Sequence, residues 1–294
     1  MKNLFFKAFT LIELLVVIAI IGILSGLIVV SMSGVTQKAT IAKAQVFSNS
    51  LKNSIMLDLV SEWKLEGNVN DSWGINSSGS IIGATTLNSG CVRDSCLSFD
   101  GDDYVTMGSD SSLNFSGDYT IEMFVYNGAN TVSYPTLFNR AAQSGANGFF
   151  WVFTQGADEV NIRGQYADGT QAQNYYFYDV LPKNKWTHLV FTFTNSTKLL
   201  KLYVNGDASP SPVTLTGALP VDDGDLYFGT YQITSSGFFK GRLDEIRWYD
   251  VAVPAYIVKE HYYSALNRMF ANGEITKEEY NNFVSQKDNT YGKY

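Results

Sequence analysis

One carboxylate, Glu13, interrupts the apolar run from Phe9 to Val30. A charged side chain near the start of a membrane-length helix costs a few kcal/mol, so the chemistry to expect of it is pairing with a cation. Ahead of the run stand eight residues that carry Lys2 and Lys7 and end in the small residue Ala8. A secretory signal places its cleavage site after the apolar stretch. A cut at Ala8 would instead leave the apolar helix on the mature chain, which would begin at Phe9. Acid–base chemistry has little to draw on elsewhere. The two histidines are His188 and His261, and Glu122 is the lone carboxylate of its β-rich segment. Asp244 and Glu245 are adjacent, so a regular strand turns them to opposite faces. Cys91 and Cys96 are the two cysteines, and no further cysteine or nearby histidine pair completes a zinc site.

The elements that position these residues follow from periodicity. Roughly 20 apolar residues span a bilayer, and Leu14 to Val30 with Phe9 and Leu11 nearly supplies them. Lys2 and Lys7 put the N-terminal end in the cytoplasm. Gly22 and Gly26 form a small-xxx-small pair that lets helices approach closely. Ile41, Ala44, Phe47, Leu51, Ile55 and Leu59 then recur at helical spacing with no proline among them. One long helix from Phe9 to about Asp58 is therefore expected. Beyond it the signals are strands. Tyr119–Tyr126, Phe149–Phe153, Trp186–Phe193, Leu199–Val204, Leu226–Gly229 and Gly241–Tyr249 are β-rich, and Asn205-Gly206 is a two-residue hairpin turn. Many strands without intervening helices indicate a two-sheet antiparallel sandwich. After Pro254 the pattern is helical again. Tyr256 to Phe270 is amphipathic, and Thr276-Lys-Glu-Glu279 reads as a capping box opening a short helix to about Gln286. This tail could pack on the sandwich, meet a neighbouring subunit, or fray.

The segment Ala8-Phe-Thr-Leu-Ile-Glu13 with its basic leader resembles the class III signal of type IV pilins and pseudopilins, over about the first 55 residues. The family usually has Gly before the cut, where this chain has Ala8. The resemblance implies removal of residues 1–8 by a prepilin peptidase and methylation of the new N-terminal Phe9. It also implies pairing of Glu13 with the Phe9 amine of a neighbouring subunit in a homo- or hetero-filament. The chain would be single-pass in the cytoplasmic (inner) membrane before assembly and then part of a surface filament, its head outside the cell. In that compartment Cys91 and Cys96 are expected to close a small disulfide loop.

Leu59–Glu66 with Asn70-Asp-Ser-Trp-Gly74, Leu97-Ser-Phe-Asp-Gly-Asp-Asp-Tyr-Val105, Ser112–Ile121, Lys185–Val190, the Leu-Tyr-Val-Asn-Gly hairpin and Gly241–Arg247 arrive in the order of another family. Together they resemble the LamG-like, concanavalin A-like jelly rolls, from Leu59 to Val253. Glucanases of this sandwich carry acid and nucleophile about 5–5.5 Å apart on one strand, but the pattern Glu-x-Asp-x-x-Glu is absent, so an enzyme is not expected. The resemblance implies a calcium ion at the sheet rim, held by Asp244 with Glu66 or Asp71, because calcium takes six to eight oxygens. The acidic turn Asp100–Asp103 reads as a solvated loop. Trp73, Tyr134, Trp151, Tyr166 and Tyr231 are candidates by type to stack on sugars, against a background in which most aromatics are core.

The organisation expected is a leader (1–8), a membrane and assembly helix (9–58), a jelly-roll domain (59–253) and a helical tail (254–294), mainly β with α at both ends. The first 58 residues hold five lysines against Glu13 and Asp58. The remainder therefore carries 16 basic and 26 acidic residues, near −10 in net charge, which argues against nucleic acid as a partner. The function expected is a pilin-like subunit, minor rather than bulk from the size of its head, displaying a lectin-type module toward surface glycans. A type II secretion pseudopilin is the alternative, and a tethered carbohydrate-active enzyme is a third reading.

Overall fold

The computed structural model describes residues 10–26, 43, 50, 53, 55–74, 79–115, 117–128, 134–141, 149–155, 158–165, 174–217, 224–231 and 237–285. The chain divides into two compact units, Met1–Met56 and Leu57–Tyr294. In the first, residues 11–26 form a helix, α1. Its start is a capping box. Thr10 donates through its backbone N–H (2.8 Å) and hydroxyl (2.7 Å) to Glu13 Oε2, while Glu13 N–H donates back to Thr10 Oγ1 at 3.3 Å. Leu11, Ile12, Leu14, Leu15, Ile18, Ile21 and Ile23 are all exposed, so the helix is apolar all round and suits lipid or other helices rather than water. Among the described residues no helix is long and apolar enough to cross a membrane. Ala8, Phe9 and most of the expected second half of the helix lie outside them.

The second unit is a sandwich of two sheets whose strands all pair antiparallel. Among the described residues the first sheet has the order β13 (Asp207–Ala208), β12 (Leu199–Val204), β11 (Trp186–Thr194), β6 (Tyr119–Asn127), β16 (Lys240–Tyr249), β4 (Cys96–Asp100), β3 (Thr85–Leu87). In the same sheet β1 (Leu59–Trp63) pairs with β16, and β14 (Val213–Thr214) pairs with β12. The second sheet has the order β10 (Tyr175–Phe177), β9 (Glu159–Gln165), β8 (Phe149–Gln155), β7 (Thr136–Ala141), β15 (Leu226–Phe228), β5 (Tyr104–Thr106), β2 (Ser80–Ile82). Alternation places Ile121, Met123 and Val125, then Leu189, Phe191 and Phe193, inward from β6 and β11 to meet Phe138, Val152, Ile162 and Phe228 from the other sheet. Phe138 sits edge-on to Phe191 at 5.6 Å across this core.

The tail packs on the sandwich. Helices α2 (Ala255–Ala271) and α3 (Lys277–Ser285) cover the outer face of the first sheet. Ile257, Val258, Tyr262, Leu266 and Met269 are buried from α2, and each such side chain contributes about 1.5–3 kcal/mol. The capping box at Thr276 forms, with the Thr276 N–H donating to Glu279 Oε2 at 2.8 Å. Pro254 stands immediately before α2, where its missing N–H costs nothing.

Between helix and sheet lies an ionic layer. Glu122 is fully buried, with Oε1 3.0 Å from His188 Nε2 and Oε2 2.8 Å from His261 Nδ1 of α2. Arg247 donates to Glu122 (3.2 Å), Glu62 (2.9 Å) and Glu245 (2.6 Å). Arg93 and Arg268 add ion pairs to Glu245 at 2.7 and 3.3 Å. Burial alone would push the Glu122 carboxyl up, but His261, Arg247 and His188 hold it well below the usual range.

The opposite-face expectation for Asp244 and Glu245 fails. Asp244 pairs with Phe124 and Arg247 with Glu122, so β16 carries one extra residue, and Glu245 takes φ +49°. This bulge turns both carboxylates outward, toward Arg93 and the α2 side, while Leu243 and Ile246 stay in the core.

Candidate functional site

The outer face of the second sheet carries polar and aromatic side chains of the kind that suit a ligand. Val160 and Ile162 of β9 point into the core, so Glu159, Asn161 and Arg163 point outward. Pairing lays two rows across that face. One row runs Arg163, Trp151, Asn139, Tyr227, Thr106. The other runs Tyr176, Asn161, Phe153, Thr136.

Asn161 is fully buried, and neither its amide nitrogen nor its carbonyl oxygen has a hydrogen-bond partner. Asn139 donates to the Tyr231 carbonyl at 2.8 Å and leaves its own carbonyl oxygen unpartnered. An unsatisfied buried polar group costs about 1–3 kcal/mol, so these amides are kept at the expense of stability. Exposed aromatics rim the face. Tyr176 and Tyr178 stack at 6.2 Å and are 43% and 63% exposed. Tyr134, 46% exposed, sits edge-on to Phe153 at 5.4 Å and takes a left-handed backbone, φ +59°. A bulky residue held in that region stores strain, which concentrates at functional positions.

Of the aromatics singled out by type, Tyr134 is on this rim and Tyr231 contributes its carbonyl to Asn139. Trp151 holds a central position in the first row by backbone register, Tyr166 lies outside the described residues, and Trp73 is exposed in the opening turn. Asn139, Asn161, Arg163, Tyr176 and Tyr178 are not among those candidates. The polar–apolar alternation of Glu159-Val-Asn-Ile-Arg-Gly-Gln165 is the signal that finds the β9 pair.

The carboxylates proposed for calcium each keep one buried oxygen without a hydrogen-bond partner: Glu66 Oε1, Asp71 Oδ2 and Asp244 Oδ1. Asp244 Oδ2 accepts the N–H groups of Val92 (2.8 Å) and Arg93 (3.0 Å). Those amides are presented by a loop that the Cys91–Cys96 disulfide closes across a Cα separation of 5.5 Å. Gly90, beside the bridge, accepts from Trp186 Nε1 and Arg242 Nη1, each at 2.9 Å. Burial first, then the neighbouring charges of Glu245 and Glu66, push the Asp244 carboxyl up to about 8 against the downward pull of its two N–H bonds. Asp71 has a separate duty, because its Oδ1 accepts the N–H groups of Glu62, Trp73 and Gly74 at 3.0 Å each. Among the described residues, the three carboxylates that gather within 4.8 Å are instead Asp100, Asp102 and Asp103. That turn is internally bonded: Asp103 Oδ2 accepts the Asp100 N–H at 2.7 Å.

Residues 99–258 match the family described as the concanavalin A-like lectin/glucanases superfamily. The chain belongs to that superfamily. Residues 6–29 match the prokaryotic N-terminal methylation motif, so a pilin-type N-terminus and a lectin-type head are joined in one chain. Among solved structures, Domain 4 of AbnA, a GH43 extracellular arabinanase from Geobacillus stearothermophilus, in complex with arabinotriose, is 21% identical. It covers 69% of this chain and 97% of its own, with a TM-score of 0.52. The binding domain of Paraclostridial Mosquitocidal Protein 1 is 19% identical, covering 72% of this chain and 53% of its own at TM-score 0.58. The receptor binding domain of botulinum neurotoxin C/D mosaic serotype is 13% identical, covering 72% and 52% at 0.58. This chain thus spans about half the length of the two toxin domains. At these identities the likeness concerns the fold. No curated protein matches the chain.

Proposed function

We propose that this chain is a type IV pilin-like filament subunit whose lectin-type head binds oligosaccharide on the outer face of its second sheet. The observation that carries the reading is the methylation motif at residues 6–29 joined to a concanavalin A-like domain. In this reading a prepilin peptidase cuts after Ala8, Phe9 is methylated, and the apolar helix anchors the subunit in the membrane before it joins other subunits. The arabinotriose complex of the AbnA domain supports sugar binding by analogy of fold. The unpartnered carbonyl oxygen of Asn139 and the unpartnered amide of Asn161 support it chemically, since sugar hydroxyls would complete their hydrogen bonds. Glu122 supports a binding rather than hydrolytic role, because it is locked beneath α2 by three cationic or imidazole partners.

The test is glycan-array binding by the full chain in detergent micelles, wild type against Asn161→Leu. The wild type binds at least one oligosaccharide. The leucine variant loses that binding while unfolding at the same or a higher temperature, because it removes an unsatisfied buried amide at similar volume. A variant that binds as well as wild type would move the ligand site elsewhere.

Calcium at the rim is a second part of this reading. Asp244 and Glu66 suit a hard cation because each has a buried oxygen without a hydrogen-bond partner and their like charges repel one another. The ion would fasten β16 to the opening segment rather than take part in chemistry. Saturating calcium at about 100 times its dissociation constant is expected to add about 2.7 kcal/mol, read as a rise in unfolding temperature that a chelator reverses. Asp244→Asn should remove the calcium response, and an unchanged response would exclude Asp244 as a ligand.

A further inference from the structure

Arg163 stands at one end of the first row across the proposed sugar face, with its charge unanswered. Among the described residues its guanidinium, half-buried, makes no hydrogen bond and no ion pair. The other arginines packed into this unit behave differently: Arg247 bonds three carboxylates, and Arg140 donates to the Leu113 carbonyl at 2.6 Å and the Asp110 carbonyl at 3.1 Å. The Arg163 nitrogens stay in reach of water, so the anionic group of a ligand can reach and pair with them.

We propose that this face selects an anionic glycan, a sugar bearing a carboxylate or a sulfate, and that Arg163 is its specificity-determining residue. The inference rests on the sugar-binding reading above and deepens it. Arg163 and Asn161 are two residues apart on one strand face, about 7 Å between Cα atoms. The guanidinium fork and the unpartnered Asn161 amide can therefore address one sugar residue together, the fork taking the anionic group bidentately. Among the described residues, the carboxylates that share the face are distant. Glu159 is four residues along the same strand, about 13 Å away. Asp225, 3.4 Å from the Tyr227 hydroxyl, stands three strands across, about 14 Å away. Both distances exceed the Debye length of about 8 Å at physiological salt, so neither cancels the Arg163 charge locally, although the head as a whole is acidic.

The test uses the full chain in detergent micelles and four probes: oligogalacturonate, its fully methyl-esterified form, a sulfated galactan oligomer and the unsulfated galactan. The expected result is that an anionic probe binds at least about tenfold more tightly than its neutral counterpart. Whether the uronate or the sulfated pair shows the difference identifies the source of the negative charge. Arg163→Gln should abolish that preference, Arg163→Lys should restore part of it, and both variants should unfold at the wild-type temperature because Arg163 has no partner to lose. Equal or tighter binding of both neutral probes would overturn the anionic selection while leaving sugar binding intact. Binding confined to other neutral sugars on the array would do the same. No binding to any glycan would overturn the sugar-binding reading and this inference with it.

Discussion

Glu122→Ala is expected to destabilise the Leu57–Tyr294 unit by about 3–5 kcal/mol, the cost of breaking a buried ion pair by removing one partner. Three groups lose their acceptor at once: His188 Nε2, His261 Nδ1 and Arg247 Nη1. Arg247 keeps Glu62 and Glu245, so Glu122→Gln, which preserves shape and an acceptor oxygen, should cost clearly less than the alanine. Denaturant unfolding of the full chain reads both values. An alanine loss below about 1 kcal/mol would mean the layer is solvated and α2 is held by apolar burial alone. The same layer gives a pH dependence. Burial lowers the His188 pKa below its usual 6.5, Glu122 pulling the other way, so the folded imidazole stays neutral where the unfolded one begins to protonate. Its contribution is present above about 6.5 and is lost as pH falls through the window down to the lowered folded pKa. Asp244, raised to about 8, acts in the opposite sense over part of that range. The difference between wild type and His188→Gln therefore isolates the histidine, and that difference should shrink from pH 7 to pH 5.

Glu13→Gln is expected to abolish filament assembly while leaving leader removal intact. Glu13 has two possible duties. In the single chain it closes the capping box with Thr10, and in the proposed filament its charge meets the Phe9 amine of a neighbour. Glutamine keeps the first, since Gln serves at that position of a capping box, and removes the second. A buried charge pair that loses one partner costs several kcal/mol per subunit contact, enough to lower incorporation at least about a hundredfold. Sheared surface material from cells carrying each variant gives the readout. Normal incorporation of the glutamine variant together with failure of Glu13→Ala would assign Glu13 to helix capping and remove its assembly role.

What is legible in the sequence is what local pattern determines. Thr10-Leu-Ile-Glu13 and Thr276-Lys-Glu-Glu279 are both capping boxes within four residues, although the apolar run around the first draws attention to its charge rather than its cap. The inward residues of β6 and β11 follow from strict alternation, and the Asn205-Gly206 hairpin from turn chemistry. What is not legible depends on pairing at a distance. The bulge at Glu245 lies where β16, paired with β6 on one side, passes from β4 to β1 on the other, and nothing in Leu-Asp-Glu-Ile marks the extra residue. It alone decides that Asp244 and Glu245 share a face. The choice of which sheet α2 covers is hidden too, because the outer residues of both sheets mix polar and aromatic types. Once α2 takes the face of Phe124, His188 and Val92, the face of Asn161 and Arg163 is the one that neither α2 nor α3 covers.

Mass spectrometry of the protein recovered from sheared surface filaments decides whether it is a processed pilin-type subunit. The expected chain begins at Phe9, lacks residues 1–8 and carries one added methyl group on its N-terminal amine. A protein found only in the cell envelope, or one whose N-terminus lies beyond the apolar helix, would contradict it.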